Sequence, residues 1–384
     1  MAGKVALITG ANGITGSAIL EYLVRNTTSS QWSQIIVTSR HPLKTRSQDS
    51  RITFVALDFL QEPSKLASDL AKVSDKVTHA YFSSYVHRDD FSELATANSS
   101  LFENFLSALT KVAPNLENVT LQTGGKCYNV HIQPVPWPVR EEDKAKASTA
   151  DPNNFYYPQE DFLVKSQKGN KWSYNIIRPV AIVGHTERPN GMNTALTYSI
   201  YFMICRELGI EAPCAINELF WNGADDTSYA PMIAEMTIYT STNSRCANED
   251  FNCSNGDAFS WRYLWPRLAA HFGAKTAESQ SFEKPYPKEG ELQQEFSFVE
   301  WAVGKREVWD KICDRTNSPG AKGSFDFATW HAADWNNRRS WSAILSMTKA
   351  AKYGFHRRQD NYESFVETFE KFEELGLIPL RSSL

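Results

Sequence analysis

The sequence has no closely spaced pair of cysteines: Cys127, Cys205, Cys214, Cys246, Cys253 and Cys313 are scattered, with no CxxC among them. That spacing indicates neither a zinc site nor a disulfide framework, and reduced thiols in a cytoplasmic setting fit instead. A long apolar run is also missing. The best stretch, Ala195 to Cys205, stops at Arg206, short of the roughly 18 to 20 residues a spanning helix needs, so no membrane insertion is expected. Charge of one sign is scarce as well. The 40 Lys+Arg against 44 Asp+Glu leave a formal charge of -4, which offers no broad cationic surface for nucleic acid or acidic lipid. Internal repeats and low-complexity tracts are absent, which argues against solenoids and propellers. The first residues carry one lysine and a stretch too short for a signal peptide, and run straight into a strand. What remains is a chain of 384 residues, 42% hydrophobic, enough for a large α/β domain with an added lobe.

The first half alternates β-branched apolar runs with segments of helical period, the signature of βαβ units and a parallel sheet. Strands are predicted at Val5–Thr9, Ile35–Ser39, Thr53–Asp58, Thr78–Ser83, Asn118–Gln122 and Ser173–Arg178, with helices at Ile14–Arg25, Ser64–Val73 and Phe91–Lys111. Pro134, Pro136 and Pro138 mark a loop within an insertion at about 128–153, of the length that forms lids and pocket walls. The expected fold is α/β, a doubly wound parallel Rossmann sheet over 1–185 with a smaller lobe over 186–384 that returns to pack on it. Phe365, Phe369, Phe372 and Leu375 recur at helical spacing and Gly376 follows as a C-terminal cap, so Asn361–Leu375 is read as an amphipathic docking helix.

Directly after the first strand stands Gly10-Ala-Asn12-Gly13-Ile14-Thr15-Gly16. In a strand–loop–helix context Gly10 permits a tight turn, Gly13 lets backbone amides approach a pyrophosphate, and Gly16 allows helix and strand to pack closely. The second strand ends in Ser39-Arg40, without the acidic residue that binds a ribose 2'-hydroxyl. A guanidinium there suits a 2'-phosphate and points to NADP(H), the alternative being a solvated arginine. Asp58 is placed either for the adenine amino group or as a helix N-cap. In doubly wound sheets the ligand lies beyond the carboxyl ends of the strands, so the remaining candidates are Ser83, Thr123, Val180 and Ile182, with Lys126 after the Gly124-Gly125 turn.

Between the insertion and the sixth strand lies Asn154-Phe-Tyr156-Tyr157-Pro-Gln-Glu160-Asp161. Ordinary short-chain dehydrogenases place a lysine four residues after the catalytic tyrosine; here that place holds Glu160. With the glycine loop, Val77-Thr-His-Ala80, Leu121-Gln-Thr-Gly-Gly-Lys-Cys-Tyr128, Arg178-Pro179, Phe251-Asn-Cys-Ser-Asn-Gly-Asp257 and Gly354-Phe355, the chain resembles the progesterone 5β-reductase and iridoid synthase group of atypical extended short-chain dehydrogenases nearly end to end. The resemblance implies Tyr156 and Lys126 as the catalytic pair, NADPH as hydride source, and 1,4-reduction of the C=C bond of an enone or enal, in specialised metabolism. It implies further that Arg178-Pro179 through Val183 back the nicotinamide. The segments Ser83-Ser84-Tyr85-Val86-His87 and Trp341-Ser342-Ala343 depart from the group's pattern, so the implied substrate is a small apolar carbonyl compound and no particular steroid or monoterpene. Tyr85, Tyr128, Trp221 and Trp341 are the candidate pocket walls.

Competing readings keep the fold and change the outcome: a carbonyl reductase or epimerase, a non-redox isomerase or cyclase, or an NADP(H)-sensing regulator without catalysis. His79, His87, His185 and His356 are single histidines outside any ligand-spaced cluster, so no metal is expected, and Asp225-Asp226 reads as a turn. A homodimer is compatible with the sequence.

Overall fold

The computed structural model describes residues 3–88, 90–144, 151–187 and 193–384; six residues of the expected insertion, 145–150, lie outside the described residues. The first half runs β1 (Lys4–Thr9), α1 (Ile14–Asn26), β2 (Trp32–Ser39), β3 (Ile52–Ala56), α2 (Pro63–Ala71), β4 (His79–Phe82), α3 (Phe91–Val112), β5 (Asn118–Gln122), α4 (Tyr156–Gln167) and β6 (Ser173–Pro179). Beyond it come β7 (Ile182–Val183), α5 (Thr194–Leu208), α6 (Glu218–Asn222), β8 (Ser228–Tyr229), α7 (Ala230–Thr242), β9 (Glu249–Cys253) and α8 (Trp261–His271). The chain closes with α9 (Phe298–Ala302), α10 (Arg306–Arg315), α11 (Ser324–Phe327), α12 (Trp330–Asn337), α13 (Thr348–Lys352) and α14 (Asn361–Leu375).

The seven-stranded sheet has the order β3-β2-β1-β4-β5-β6-β9, every pair parallel. This is the doubly wound arrangement, and the order reverses between β1 and β4. All six predicted strands are present within a residue or three of their expected ends. The seventh, β9, was legible only as part of a family motif, because Glu-Asp-Phe-Asn-Cys has no apolar run; its pairing partner β6 supplies the apolar setting.

Helices cover both faces. On one, Ile14 and Ala18 of α1 meet Ala230, Ala234 and Ile238 of α7 over Ala6, Ile8, Ile35 and Val37. On the other, α2, α3 and α4 pack Leu66, Leu70, Phe102, Phe105, Leu109 and Leu163 against Leu7, Ile36, Ala80 and Leu121. The Asp90 carboxylate caps α3, accepting from the backbone amides of Ser92 and Glu93. Burying Phe102 and Phe105 stabilises by about 1.5 to 3 kcal/mol each. The lobe has its own aromatic core, in which Trp265, Trp309, Tyr198, Tyr201, Phe202 and Phe298 join Phe365, Phe369 and Phe372 of α14. That helix ends at Gly376, whose φ of 71° is the left-handed cap read from the sequence. All six cysteines are free and buried, and among the described residues no helix is long and apolar enough to cross a membrane.

Candidate active site

The glycine loop lies at the point where the strand order reverses. Gly10 has φ +64°, and a Cβ there would come within 2.7 Å of the Ser83 carbonyl oxygen at the end of β4. At Gly16 a Cβ would stand 2.3 Å from the Gly10 carbonyl oxygen, so only glycine lets α1 sit this close to the loop. Ile14 and Thr15 are buried in the first turn of α1, which starts from Gly13 with no side-chain cap. Its first amides are left to a ligand or solvent, which is the arrangement a pyrophosphate uses. These features fit a dinucleotide.

The neighbouring candidates divide into two groups. Arg40 is exposed just beyond Ser39, open to a 2'-phosphate. Asn12 instead pins the loop after β2: its amide donates to Ser39 Oγ (2.9 Å) and the carbonyls of His41 (3.3 Å) and Pro42 (3.2 Å), and accepts from Lys44 N (2.9 Å). Ser83 ties β4 to β1, its hydroxyl donating to the Thr9 carbonyl at 2.8 Å. Asp58 accepts from Leu60 N at 3.1 Å in a turn, while α2 takes Glu62 as its N-cap residue. Val180 N donates to Ser228 Oγ at 2.8 Å, and Ile182 opposite Ser228 forms the short β7–β8 pair.

Beyond β5 the chain turns through Gly124, Gly125 and Lys126. A Cβ on Gly124 would lie 3.6 Å from the Tyr156 hydroxyl and 3.0 Å from the Pro179 carbonyl, so the phenol rests over this glycine. Asn154 clasps the two halves of the site: its amide donates to the Lys126 carbonyl (2.8 Å) and its oxygen accepts from Tyr156 N (3.2 Å). Tyr156 stands at the first position of α4, edge-on to Phe155 at 4.8 Å, and Tyr85 lies 6.2 Å from Phe155. Burial, then Cys127, Tyr85 and Glu160, raise the Tyr156 pKa, so the phenol stays protonated through the neutral range. Burial lowers the Lys126 pKa, and Asp151 opposes that shift. The Lys126 ammonium lies 4.8 Å from the ring of Trp335 on α12.

Where ordinary relatives hold a lysine, Glu160 is 1% exposed and lies one turn along α4 from Tyr156. Its carboxylate pairs with Arg178 (Nε 3.1 Å, Nη2 2.7 Å) and with Lys144 (2.8 Å). It also accepts from the Thr123 hydroxyl (2.8 Å) and the Cys127 thiol (3.1 Å), the residues that flank the Gly124–Lys126 turn. Burial alone would raise the Glu160 pKa; Arg178 and then Lys144 reverse that and hold it at about 2. Arg178 continues the network to Asp250 (2.5 Å) and to the Tyr128 hydroxyl (3.1 Å), which donates to Asn252 at 2.6 Å. Thr123, a cofactor candidate, is thus engaged with Glu160. In the sequence Glu160 stands out only as a missing lysine, and Arg178 only as part of the segment that backs the nicotinamide. The available signal was a lone arginine closing the apolar run Ile176-Ile177, which demands a buried partner.

Three of the candidate pocket walls are buried side chains. Tyr128 is 3% exposed with its hydroxyl in the Arg178 network, Trp221 is 7% exposed in the lobe core, and Trp341 is 1% exposed with its indole N–H donating to the Val130 carbonyl at 3.0 Å. Large rings with a satisfied polar tip pack into cores, and spacing does not distinguish that from a pocket. Tyr85, 48% exposed, is the one that reaches the surface. Asp225, expected in a turn, accepts from Trp261 (3.0 Å) and Arg339 (2.6 Å), while Asp226 is buried with Oδ2 unpartnered.

The family model for the PRISE-like Rossmann-fold domain matches residues 6–379. The short chain dehydrogenase gsfE of Penicillium aethiopicum is 55% identical over 376 residues, covering 98% of this chain and 99% of its own length. The 3-oxo-Delta(4,5)-steroid 5-beta-reductase of Arabidopsis thaliana is 31% identical over 382 residues, 98% of this chain and 93% of that protein. Among solved structures, the Bordetella bronchiseptica enzyme WbmH in complex with NAD+ aligns with a TM-score of 0.63 over 97% of this chain and 99% of its own at 14% identity, a likeness of fold. The chain belongs to the PRISE-like Rossmann-fold family, as an oxidoreductase of the extended short-chain dehydrogenase type.

Proposed function

We propose that the chain catalyses NADPH-dependent 1,4-reduction of the C=C bond of a small enone or enal. The observation that carries this reading is a phenol kept protonated above the glycine turn that bears Lys126, with a glutamate where an ordinary dehydrogenase has its lysine. A lysine at that place would push the tyrosine toward ionisation for proton exchange with an alcohol. Here burial chiefly, and after it Cys127, Tyr85 and Glu160, act the other way and favour a tyrosine that donates a hydrogen bond.

When bound, the reduced nicotinamide supplies the hydride to the β-carbon. Tyr156 then donates a hydrogen bond to the carbonyl oxygen, where negative charge collects as an enolate, Lys126 adds positive potential from the turn below, and a proton taken up from solvent at the α-carbon completes the saturated carbonyl compound. A donor aimed at developing charge contributes about 10²- to 10³-fold in kcat. The glycine loop and the first turn of α1 would hold the pyrophosphate, and Arg40 the 2'-phosphate that selects NADPH. The Thr123, Ser83, Val180 and Ile182 strand ends would shape the nicotinamide side. Six buried thiols support a reducing, cytoplasmic setting.

Loss of nicotinamide absorbance with small enones, together with product analysis, tests the reading. Saturated ketone from the wild type and a rate lowered by about 10²-fold or more in Tyr156→Phe are expected. Alcohol as the product, or equal rates in wild type and variant, would refute it.

A further inference from the structure

Trp335 has the Lys126 ammonium against its ring and also lines a cleft of about 340 Å³ with Leu292, Gln294, His331, Asp334 and Arg338. The cleft and the proposed catalytic lysine therefore share one indole. The charges around that indole are satisfied unequally. Asp334 is committed to the start of α9, accepting from Ser297 Oγ (2.5 Å), Phe298 N (2.6 Å) and Val299 N (3.3 Å). Asp151 bonds His131 Nε2 at 3.0 Å and offsets Lys126, while the His131 ring lies 5.7 Å from Trp335. Burial, then the Lys126 charge, hold His131 neutral, with a pKa of about 4.

Arg338 is the cation left over. Its guanidinium lies 6.0 Å from the Trp335 ring, its Nε is buried without a hydrogen-bond partner, and it makes no ion pair among the described residues. A buried donor without an acceptor is costly to keep, and a guanidinium at a cleft wall matches a planar oxygen anion better than any other side chain. We propose that Arg338 is a substrate-recognition residue: the enone held by Tyr156 and Lys126 carries at its far end a carboxylate or phenolate oxygen, which the Arg338 guanidinium binds in this cleft. The reacting end of that substrate rests on the reduction reading; the charged end rests on the cleft.

Calorimetry on the full chain with NADP+ tests this without turnover, using saturated para-substituted benzylacetones. One pair bears a carboxylate or its methyl ester, the other a phenol at alkaline pH or its methyl ether. The wild type is expected to bind one or both ionised members about tenfold or more tighter than the neutral partner. Arg338→Leu should bring that ratio to about one, with Arg338→Lys in between. The pair that discriminates identifies the oxygen as carboxylate or phenolate. Equal binding within both pairs, a preference that survives in Arg338→Leu, or no binding of any of the four overturns the assignment. Turnover of the matching unsaturated compounds is scored separately: a charge preference without reduction would sink the reduction reading and leave the cleft assignment standing.

Discussion

Replacing Glu160 by glutamine keeps the shape of the side chain and removes its charge, which leaves Arg178 inside the protein with Asp250 as its remaining carboxylate partner. Breaking a buried ion pair on one side costs about 3 to 5 kcal/mol, and the surviving Asp250 contact places this case at the lower end. Titration gives a second route to the same figure. The carboxyl falls from an ordinary 4.5 to about 2 on folding, and at about 1.4 kcal/mol per unit that is about 3 kcal/mol of stability. Because the folded value is depressed, this stability is fully present above 4.5 and disappears as the pH falls toward about 2. Urea unfolding at neutral pH should therefore show Glu160→Gln less stable by about 3 kcal/mol, with a thermal midpoint lower by roughly 4 °C for a chain of 384 residues. The acid-side slope of the wild type should flatten in the variant. Since Glu160 also holds Thr123 and Cys127 on either side of the Lys126 turn, kcat should fall by more than binding weakens. Stability within about 1 kcal/mol of the wild type, or an unchanged slope below pH 4.5, would refute the reasoning.

Gly16→Ala should destabilise by about 1 to 3 kcal/mol and abolish dinucleotide binding measured by fluorescence, because its Cβ would stand 2.3 Å from a backbone oxygen; binding equal to the wild type would contradict the packing argument. Arg40→Glu should weaken NADPH about 10- to 100-fold while leaving NADH nearly unaffected, as read from the ratio of their KM values. Asp226 has its pKa raised from 3.8 to about 7, first by burial and then by the neighbouring Asp225 charge. It holds a proton in the folded state, so the stability it contributes declines as the pH rises from 3.8 to about 7. In Asp226→Asn that decline should vanish, which thermal midpoints at about pH 5 and about pH 8 would reveal; parallel curves would count against it.

The parallel sheet and the glycine-rich loop after β1 were legible in the local sequence. β-branched runs that alternate with helical segments read as parallel strands covered by helices, and a Gly-x-x-Gly-x-x-Gly turn between strand and helix has backbone consequences that do not depend on distant residues. The same locality made Gly376 readable as a helix cap. Tertiary structure alone decided what is long-range. Glu160, Arg178, Lys144 and Asp250 are separated by up to 106 positions and become one network only because α4, β6 and β9 converge. Trp335 reaches Lys126 from a helix more than two hundred residues later. Tyr128, Trp221 and Trp341 show the limit from the other side: an aromatic ring buries equally well in a core or a pocket, and the choice depends on neighbours that spacing does not reveal.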